Sequence, residues 1–266
     1  MTIRLAFSNL ACPDWSFSRI AAAAREYGYD GLELRLVDRQ PIDANLLRQK
    51  LPVLRTELDG LPIASLNSSI RLAVDGDEWL DEFAALSELA NQLHVPSIRV
   101  WGGDYDPSVS EMAAIARVAE RLNEAGRIAT HAGITVALET HDSWRMLARV
   151  IKVFDAVENQ AVRVLWDIQN THAKGNSTPE DVWRALGRRI VQVHVKDTRP
   201  GPGEYGELVE LGTGTVPARE SIRLLAEKSF DGWVTVNWLK FQHPEIAEPE
   251  VALPQYAKTL RKWLAA

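Results

Sequence analysis

The chain has 266 residues, of which 46% are hydrophobic and 25% are charged, a balance typical of a well-cored globular protein. Its formal net charge of −6 disfavours a broad nucleic-acid-binding surface, because such surfaces are normally basic. The single cysteine, Cys12, excludes an internal disulfide framework and fits a reducing compartment. The sequence has neither a membrane-length apolar run nor a signal-peptide pattern at its start, so we expect a cytoplasmic protein with no membrane partner.

Eight predicted strands alternate with eight predicted helices along the chain. Runs rich in β-branched residues predict the strands, and apolar residues at helical spacing predict the helices. The predicted strands are 3–7, 31–36, 61–66, 97–101, 134–138, 162–166, 190–195 and 233–238. The predicted helices are 16–27, 41–58 with an interruption near Pro52, 78–93, a fourth that starts with a capping box of Ser108 and Glu111 and ends at Gly133, 143–157, 179–186, 217–228 and 249–264.

This strict alternation predicts one α/β domain, residues 1–266, folded as a (β/α)8 TIM barrel. An open doubly wound sheet is the alternative, and we disfavour it because no G-x-G-x-x-G motif follows the first strand. The longest predicted connection, 198–215, is interpreted either as a lid or simply as a long loop. Its glycines are Gly201, Gly203, Gly206, Gly212 and Gly214.

Polar side chains stand at the ends of the last four predicted strands. They are Glu139, Asp167, His194 and Asn237, with sequence spacings of 28, 27 and 43 residues. Because the carboxyl ends of parallel barrel strands meet at one face, we expect these four side chains to converge. Two carboxylates, an imidazole and an amide oxygen suit a divalent metal ion, namely Mn²⁺, Mg²⁺, Co²⁺ or Zn²⁺.

Several motifs in the chain resemble those of the xylose isomerase-like superfamily of (β/α)8 barrels, the sugar isomerases and epimerases. They are, in chain order, GLELR (31–35), IRVWGG (98–103), VALETH (136–141), VLWDIQNTH (164–172), VQVHVKD (191–197), LGTGTV (211–216) and WVTVNWLK (233–240). The resemblance implies that Glu139, Asp167 and His194 bind a divalent metal ion. It also implies a carbohydrate substrate and either a homo-oligomer or association with a partner subunit.

The sequence departs from the family at one position of the implied site. The fourth metal ligand of such enzymes is a glutamate on the last strand that often doubles as a base, and here the residue is Asn237. An asparagine can offer a carbonyl oxygen to a metal ion, but it cannot take up a proton at neutral pH. A symmetric epimerisation with two bases is therefore placed in doubt, whereas a reaction that needs one base is not.

The predicted function is metal-dependent isomerisation or epimerisation of a keto-sugar, or of a related polyhydroxy carbonyl compound, through an enediolate. The alternative is a lyase, either a dehydratase or a keto-glycoside eliminase, that uses the same enediolate. An inactive sugar-binding or partner subunit and a metal-dependent endonuclease are two further alternatives. The net charge of −6 speaks against the endonuclease.

Further polar residues near the strand ends are candidates for catalysis and substrate binding. Glu139 is the candidate base, His141 or His172 the candidate general acid or base, and Lys196 the candidate stabiliser of an oxyanion. The predicted substrate-binding residues are Glu33, Asn67, Arg99, Trp101, Asn170 and Arg199. Arg35 is interpreted, together with Glu33, as a substrate contact or as half of an interior ion pair.

Overall fold

The computed structural model describes residues 3–74, 76–201 and 206–265, and eight parallel strands close a barrel within this part of the chain. The strands are β1 (Arg4–Ser8), β2 (Gly31–Leu34), β3 (Ile63–Arg71), β4 (Ser97–Trp101), β5 (Thr135–Glu139), β6 (Val162–Asp167), β7 (Ile190–Val195) and β8 (Trp233–Val236). Neighbours in the chain are neighbours in the sheet, and β8 closes the barrel on β1 with Arg4 opposite Trp233. The predicted (β/α)8 barrel is confirmed.

Helices cover the outside of the barrel, and the described residues form nine of them. They are α1 (Phe17–Tyr27), α2 (Ala44–Glu57), α3 (Glu78–Gln92), α4 (Glu111–Ala132), α5 (Leu147–Asp155), α6 (Ile168–Ala173), α7 (Pro179–Leu186), α8 (Ala218–Glu227) and α9 (Pro249–Leu264). Short 3-10 turns lie at Asn9–Ala11, Asp142–Arg145 and Gly187–Arg189. No helix in residues 3–74, 76–201 and 206–265 is both long and apolar enough to cross a membrane.

Two predicted helix boundaries were wrong. The cap of α4 is Ser110, whose side chain accepts a hydrogen bond from the Ala113 N–H group, and not Ser108. Ser108 belongs to the preceding turn, because its N–H group donates to the Asp106 carboxylate at 2.7 Å. The predicted helix 143–157 starts with the separate 3-10 turn Asp142–Arg145, where Trp144 is buried and donates to the Gly103 carbonyl at 2.7 Å.

The structure also differs from the prediction within helix α2 and directly after β6. Helix α2 runs without a break through Pro52. Pro52 is exposed, so water can bind the carbonyl group that the missing N–H group leaves unbonded. Helix α6 was not predicted, and it starts directly after β6 because the Asp167 carboxylate accepts a hydrogen bond from the Asn170 N–H group at 2.9 Å.

The barrel interior changes from apolar at one end to polar at the other. At the amino ends of the strands, Trp233 packs with Ala6 and Ala64 in a small separate cluster. Gly31 leaves room for this ring, since a Cβ atom there would lie 2.7 Å from the Trp233 side chain. Because side chains of a strand alternate, the inward positions that follow Gly31 and Trp233 carry polar groups such as Glu33. The polar layer lies at the carboxyl ends of the strands.

The connection after β7 is tied to the barrel by one buried carboxylate. Residues Asp197–Arg199 and Glu207–Val209 form a hairpin, and Gly203 lies outside the described residues. The Asp197 carboxylate then accepts hydrogen bonds from the N–H groups of Thr198, Gly212, Gly214 and Val216 at 2.9–3.2 Å. These bonds make residues 212–216 a fixed part of the wall next to β7.

Replacing the carboxylate in Asp197→Ala is expected to lower the free energy of unfolding by on the order of 3 kcal/mol, because buried N–H groups lose their acceptor. The measurement is urea denaturation, with Asp14→Ala as the control. Asp14 is exposed and forms an ion pair with exposed Arg39, so its loss should cost less than about 1 kcal/mol. Equal losses in the two variants would contradict the anchoring role of Asp197.

Candidate active site

Three of the predicted ligands meet at the carboxyl end of the barrel. Glu139 ends β5, Asp167 ends β6, and His194 lies in β7 directly opposite Asp167 in the strand register. One ligand atom of each lies within 4.8 Å of the ligand atoms of the other two, and all three side chains are buried. Such a group of donors suits a divalent cation.

A hydrogen bond from across the barrel orients His194. Its Nε2 atom lies 2.6 Å from the Glu33 carboxylate of β2, so Nε2–H donates and the Nδ1 atom faces the other way. Nδ1 lies 3.3 Å from Glu139 Oε1 and 3.9 Å from Asp167 Oδ2. Burial lowers the pKa of His194, but the Glu33 and Glu139 carboxylates outweigh it and raise the pKa to about 10. Without a metal ion, both ring nitrogens of His194 are therefore protonated at neutral pH, and the imidazolium lies between the two carboxylates.

Glu139 is held in its ionised form. Its Oε2 atom accepts a hydrogen bond from Trp101 Nε1 at 2.7 Å and lies 3.2 Å from Arg99 Nε. Burial opposes ionisation, yet the charges of Arg99 and His194 bring the pKa of Glu139 well below its ordinary value. The carboxylate is therefore available at neutral pH as a ligand or as a proton acceptor.

Asp167 is shared between a helix start and a lysine. One carboxylate oxygen, Oδ1, caps α6, while the other, Oδ2, accepts a hydrogen bond from the buried Lys196 ammonium group. The Asp167 N–H group donates to Thr140 Oγ1 at 2.8 Å, which fixes the end of β6 against β5. Lys196 thus lies at the edge of the ligand group, where it can contact a substrate oxygen.

Asn237, one residue beyond β8, completes the group. Its Nδ2 atom lies 3.4 Å from His194 Nδ1, and its buried Oδ1 atom has no hydrogen-bond partner in the described residues. The two ends of an amide are assigned by their bonding, so a rotated side chain would bring Oδ1 to the ligand group. A buried carbonyl oxygen without a donor fits a cation, so the whole donor set of Glu139, Asp167, His194 and Asn237 fits a divalent metal ion.

Adding charge at this position tests that fit. Asn237→Asp keeps the shape of the side chain and supplies a carboxylate, so the affinity for Mn²⁺ or Zn²⁺ is expected to rise by about tenfold. The measurement is calorimetric titration with each metal ion. Asn45→Asp adds the same charge at the exposed start of α2 and should leave the affinity unchanged. An unchanged affinity in Asn237→Asp would place the cation away from β8.

A cavity of about 230 Å³ opens at this end of the barrel, a volume suited to a small ligand. Most predicted site residues line it, namely Glu33, Asn67, Arg99, Trp101, Glu139, His141, Asn170, His194, Lys196 and Asn237. Arg35 also lines it, as do Leu10, Leu239, Gln242 and His243, which the sequence analysis missed. Leu239, Gln242 and His243 could have been predicted from their position, because they lie in the loop after β8 and such loops at the carboxyl ends of strands line barrel sites.

His141 combines a charged partner with a place on the cavity wall. Its ring stacks on Trp101 with centroids 5.4 Å apart, and its Nδ1 atom lies 2.7 Å from Asp142 Oδ1. Burial lowers the pKa of His141, but the hydrogen bond to Asp142 and the charge of Glu139 raise it overall. A histidine with a raised pKa suits a proton donor.

The buried Asp167 does not line the cavity itself, and neither do two further predicted site residues, His172 and Arg199. His172 is exposed near the end of α6, because that helix buries its first four residues and turns the next one outward. Arg199 extends from the hairpin after β7 and pairs with Glu207 at 2.9 Å, and its side chain is 57% exposed. Neither side chain reaches the ligand group in this arrangement, so His141 is the remaining histidine candidate for the general acid.

Comparisons with known proteins agree with the barrel fold. The family model described as "Xylose isomerase-like TIM barrel" matches residues 21–266. An inosose dehydratase of Klebsiella pneumoniae (strain 342) is 29% identical over 179 residues, which are 61% of this chain and 58% of the relative. The match therefore spans somewhat more than half of that relative's length.

Solved structures match nearly the whole chain. The probable 3-DHS dehydratase AsbF, involved in petrobactin synthesis in Bacillus anthracis, has a TM-score of 0.79 and 18% identity, with 97% of this chain and 99% of that chain covered. The IolI protein with a bound zinc atom has a TM-score of 0.79 and 18% identity, with 99% and 98% covered. Sugar epimerases also match. At these identities the structures establish the shared fold alone.

Proposed function

Because the chain belongs to the xylose isomerase-like TIM-barrel family, we propose that it is a sugar-modifying enzyme that removes water from a keto-polyol with the help of a divalent metal ion. The observation that carries the proposal is the amide of Asn237 beside His194, where a two-base epimerase needs a second carboxylate. Dehydration needs one base and one acid. The sequence analysis placed epimerisation first, and the geometry around Asn237 favours its lyase alternative.

The metal ion would be held by Glu139, Asp167, His194 and the amide oxygen of Asn237. When bound, a divalent cation supplies Lewis acidity that makes the C–H group next to the substrate carbonyl more acidic. The chain itself supplies orientation, since Glu33 fixes the His194 ring and the Asn170 N–H group fixes Asp167. These outer contacts hold the ligand set in place before substrate arrives.

In the proposed reaction, Glu139 accepts the proton from the carbon next to the carbonyl group. The electron pair of that C–H bond forms a C=C bond, and the C–O bond of the hydroxyl group on the next carbon breaks. His141 donates its proton to this hydroxyl group, which leaves as water. Lys196 donates a hydrogen bond to the substrate oxygen that gains negative charge. One proton is taken and one is given, so the enzyme's net charge is unchanged.

Epimerisation is the second candidate, and a specific observation keeps it: Glu33 is a further carboxylate on the cavity wall. Its Oε2 atom, however, already accepts hydrogen bonds from His194 and Gln192, both at 2.6 Å. The other oxygen, Oε1, has no hydrogen-bond partner in the described residues, but protonation of Glu33 would weaken the bond that fixes the His194 ring. Glu33 is therefore a poor partner for returning a proton to the opposite face of a substrate. The name of the curated relative, inosose dehydratase, also supports the elimination of water.

The test is to incubate the protein and Mn²⁺ with inosose in D₂O and to follow the products by mass spectrometry and NMR. We expect a product that has lost one water and contains a new C=C bond. His141→Gln should lower the rate by about 10²–10⁴-fold, whereas His131→Gln, at the end of α4 and away from the cavity, should not. A product of unchanged composition that carries deuterium next to the carbonyl would instead identify an epimerase.

A further inference from the structure

Most cationic side chains that line the cavity have a carboxylate partner. The pairs within the described residues are Arg99–Glu139, Lys196–Asp167, His194–Glu33 and His141–Asp142. Each pair balances a positive charge against a negative one, which is the usual condition for keeping a charge out of water.

Arg35 is different. It follows β2, lines the cavity and is 7% exposed. Its Nη1 group donates to the Asn67 carbonyl and to Ser69 Oγ, both at 2.9 Å, and both acceptors are neutral. No ion pair joins Arg35 to a carboxylate in residues 3–74, 76–201 and 206–265, and its Nη2 and Nε groups form no hydrogen bond there. Two donors and a whole positive charge remain for a ligand.

The surroundings of Arg35 add positive charge. Its guanidinium lies 5.1 Å from the centroid of the Trp101 ring, and those of Arg99 and Arg71 lie 4.0 Å and 5.7 Å from the same centroid. The ring attracts each cation, but three cations repel one another. Burial, followed by the charge of Arg99, lowers the pKa of Arg35 to about 9. The charges of Glu139 and Glu33 oppose this lowering of the pKa, but neither carboxylate forms an ion pair with Arg35 in the described residues. The guanidinium stays charged at neutral pH and has no carboxylate in direct contact.

We propose that Arg35 binds a carboxylate of the substrate, so that the keto-polyol processed at this site is an acid. This inference rests on the proposed function and adds the substrate class to it. A planar carboxylate matches the two free donor groups of the guanidinium, and its single negative charge balances the charge of Arg35. A phosphate would bring about two negative charges. Arg71, which also has no carboxylate partner in the described residues, does not line the cavity, so it leaves Arg35 alone to balance them. The carboxylate is therefore the better match.

The test compares two ketoses that differ at one carbon. 5-Keto-D-gluconate carries a carboxylate where L-sorbose carries a CH₂OH group. Calorimetric titration of the protein with Mn²⁺ is expected to give an affinity about 10-fold to 100-fold higher for the keto acid, the effect of hydrogen bonds to a charged group. Arg35→Gln should remove this preference by weakening the keto acid alone, and Arg35→Lys should retain part of it.

The control is Arg39→Gln, which removes an arginine on the same segment that pairs with Asp14 at the surface, with its side chain 58% exposed. It should leave both affinities unchanged. Equal wild-type affinities, or no binding of the keto acid, would overturn the proposal. So would an equal loss of both ligands in Arg35→Gln, since that would show that Arg35 only supports residues 67–69. If Arg35→Gln fails to fold, the wild-type affinity ratio and Arg35→Lys decide.

The outcome separates this inference from the proposed function. Arg35-dependent binding of the keto acid without any loss of water from a substrate would refute the dehydratase and leave the acid site standing. Dehydration of neutral inosose by a protein with no preference for the keto acid would leave the dehydratase standing and refute the acid site.

Discussion

Glu139→Gln is expected to lower the rate of proton removal from the substrate by about 10²–10⁴-fold, because the amide cannot take up a proton. The substitution keeps the size of the side chain, and its carbonyl oxygen can still accept the hydrogen bond that Trp101 Nε1 gives to Glu139 Oε2. The buried Arg99, however, loses its carboxylate, so the free energy of unfolding should also fall, by up to about 3–5 kcal/mol.

The measurement is solvent-deuterium incorporation and water loss at saturating Mn²⁺, which separates the role of a base from that of a metal ligand. Saturation removes any effect of weaker metal binding, so a remaining loss of rate belongs to proton transfer. Glu111→Gln is the matched control, because Glu111 forms its ion pairs with Arg149 and Lys152 at the start of α4. Unchanged turnover in Glu139→Gln would assign the base to another residue.

Glu33→Gln is expected to weaken metal binding by about 10–100-fold, the usual effect of losing the partner of a ligating histidine. Glu33 does not belong to the ligand group itself; it fixes the His194 ring by accepting the Nε2–H bond at 2.6 Å. The amide of a glutamine could turn its NH₂ group toward the ring, which would leave the Nδ1 atom less firmly directed at Glu139. Calorimetric titration with Zn²⁺ and Mn²⁺ measures the change.

The stability of the metal-free protein is expected to depend on pH through His194, and Glu33→Gln tests this dependence. The pKa of His194 is raised in the folded state from its ordinary value of 6.5 to about 10, with burial outweighed by Glu33 and Glu139. The resulting stabilisation is complete below about pH 6.5 and is lost as the pH rises to about 10. Glu33→Gln should reduce this loss. Glu26→Gln, on the exposed side of α1, is the control, and the same pH profile in both variants would contradict the coupling.

The barrel was predictable because its signal is local and repeated. Each strand is a short apolar run, each helix has its own periodicity, and both patterns can be read without knowing the neighbours. The meeting of Glu139, Asp167 and His194 followed from the same logic, since side chains at the carboxyl ends of parallel strands share one face of a barrel. The sequence placed these residues correctly without information on any distance.

The positions of His172 and Arg199 depended on contacts that the pattern does not contain. His172 lies outside the site because the Asp167 carboxylate starts helix α6, for which no helix was predicted. Arg199 pairs with Glu207 across a hairpin, and no apolar run in the sequence predicts that hairpin. Polar residues inside strands were also missed: Gln192 of β7 contacts Thr235 on the neighbouring strand β8 and Glu33 of β2 across the barrel, and only closure brings Gln192 and Glu33 together.

The bond between His194 and Glu33 has a consequence for how the protein folds. It joins residues 161 positions apart, one from the first quarter of the chain and one from the last half. Such a contact has a large entropic cost of loop closure, so it forms only after the intervening strands have paired. A truncated chain that lacks β2 can contain Glu139, Asp167 and His194 and still present an unoriented imidazole. Tight metal capture is therefore expected to report completion of the barrel, as one of the last events of folding.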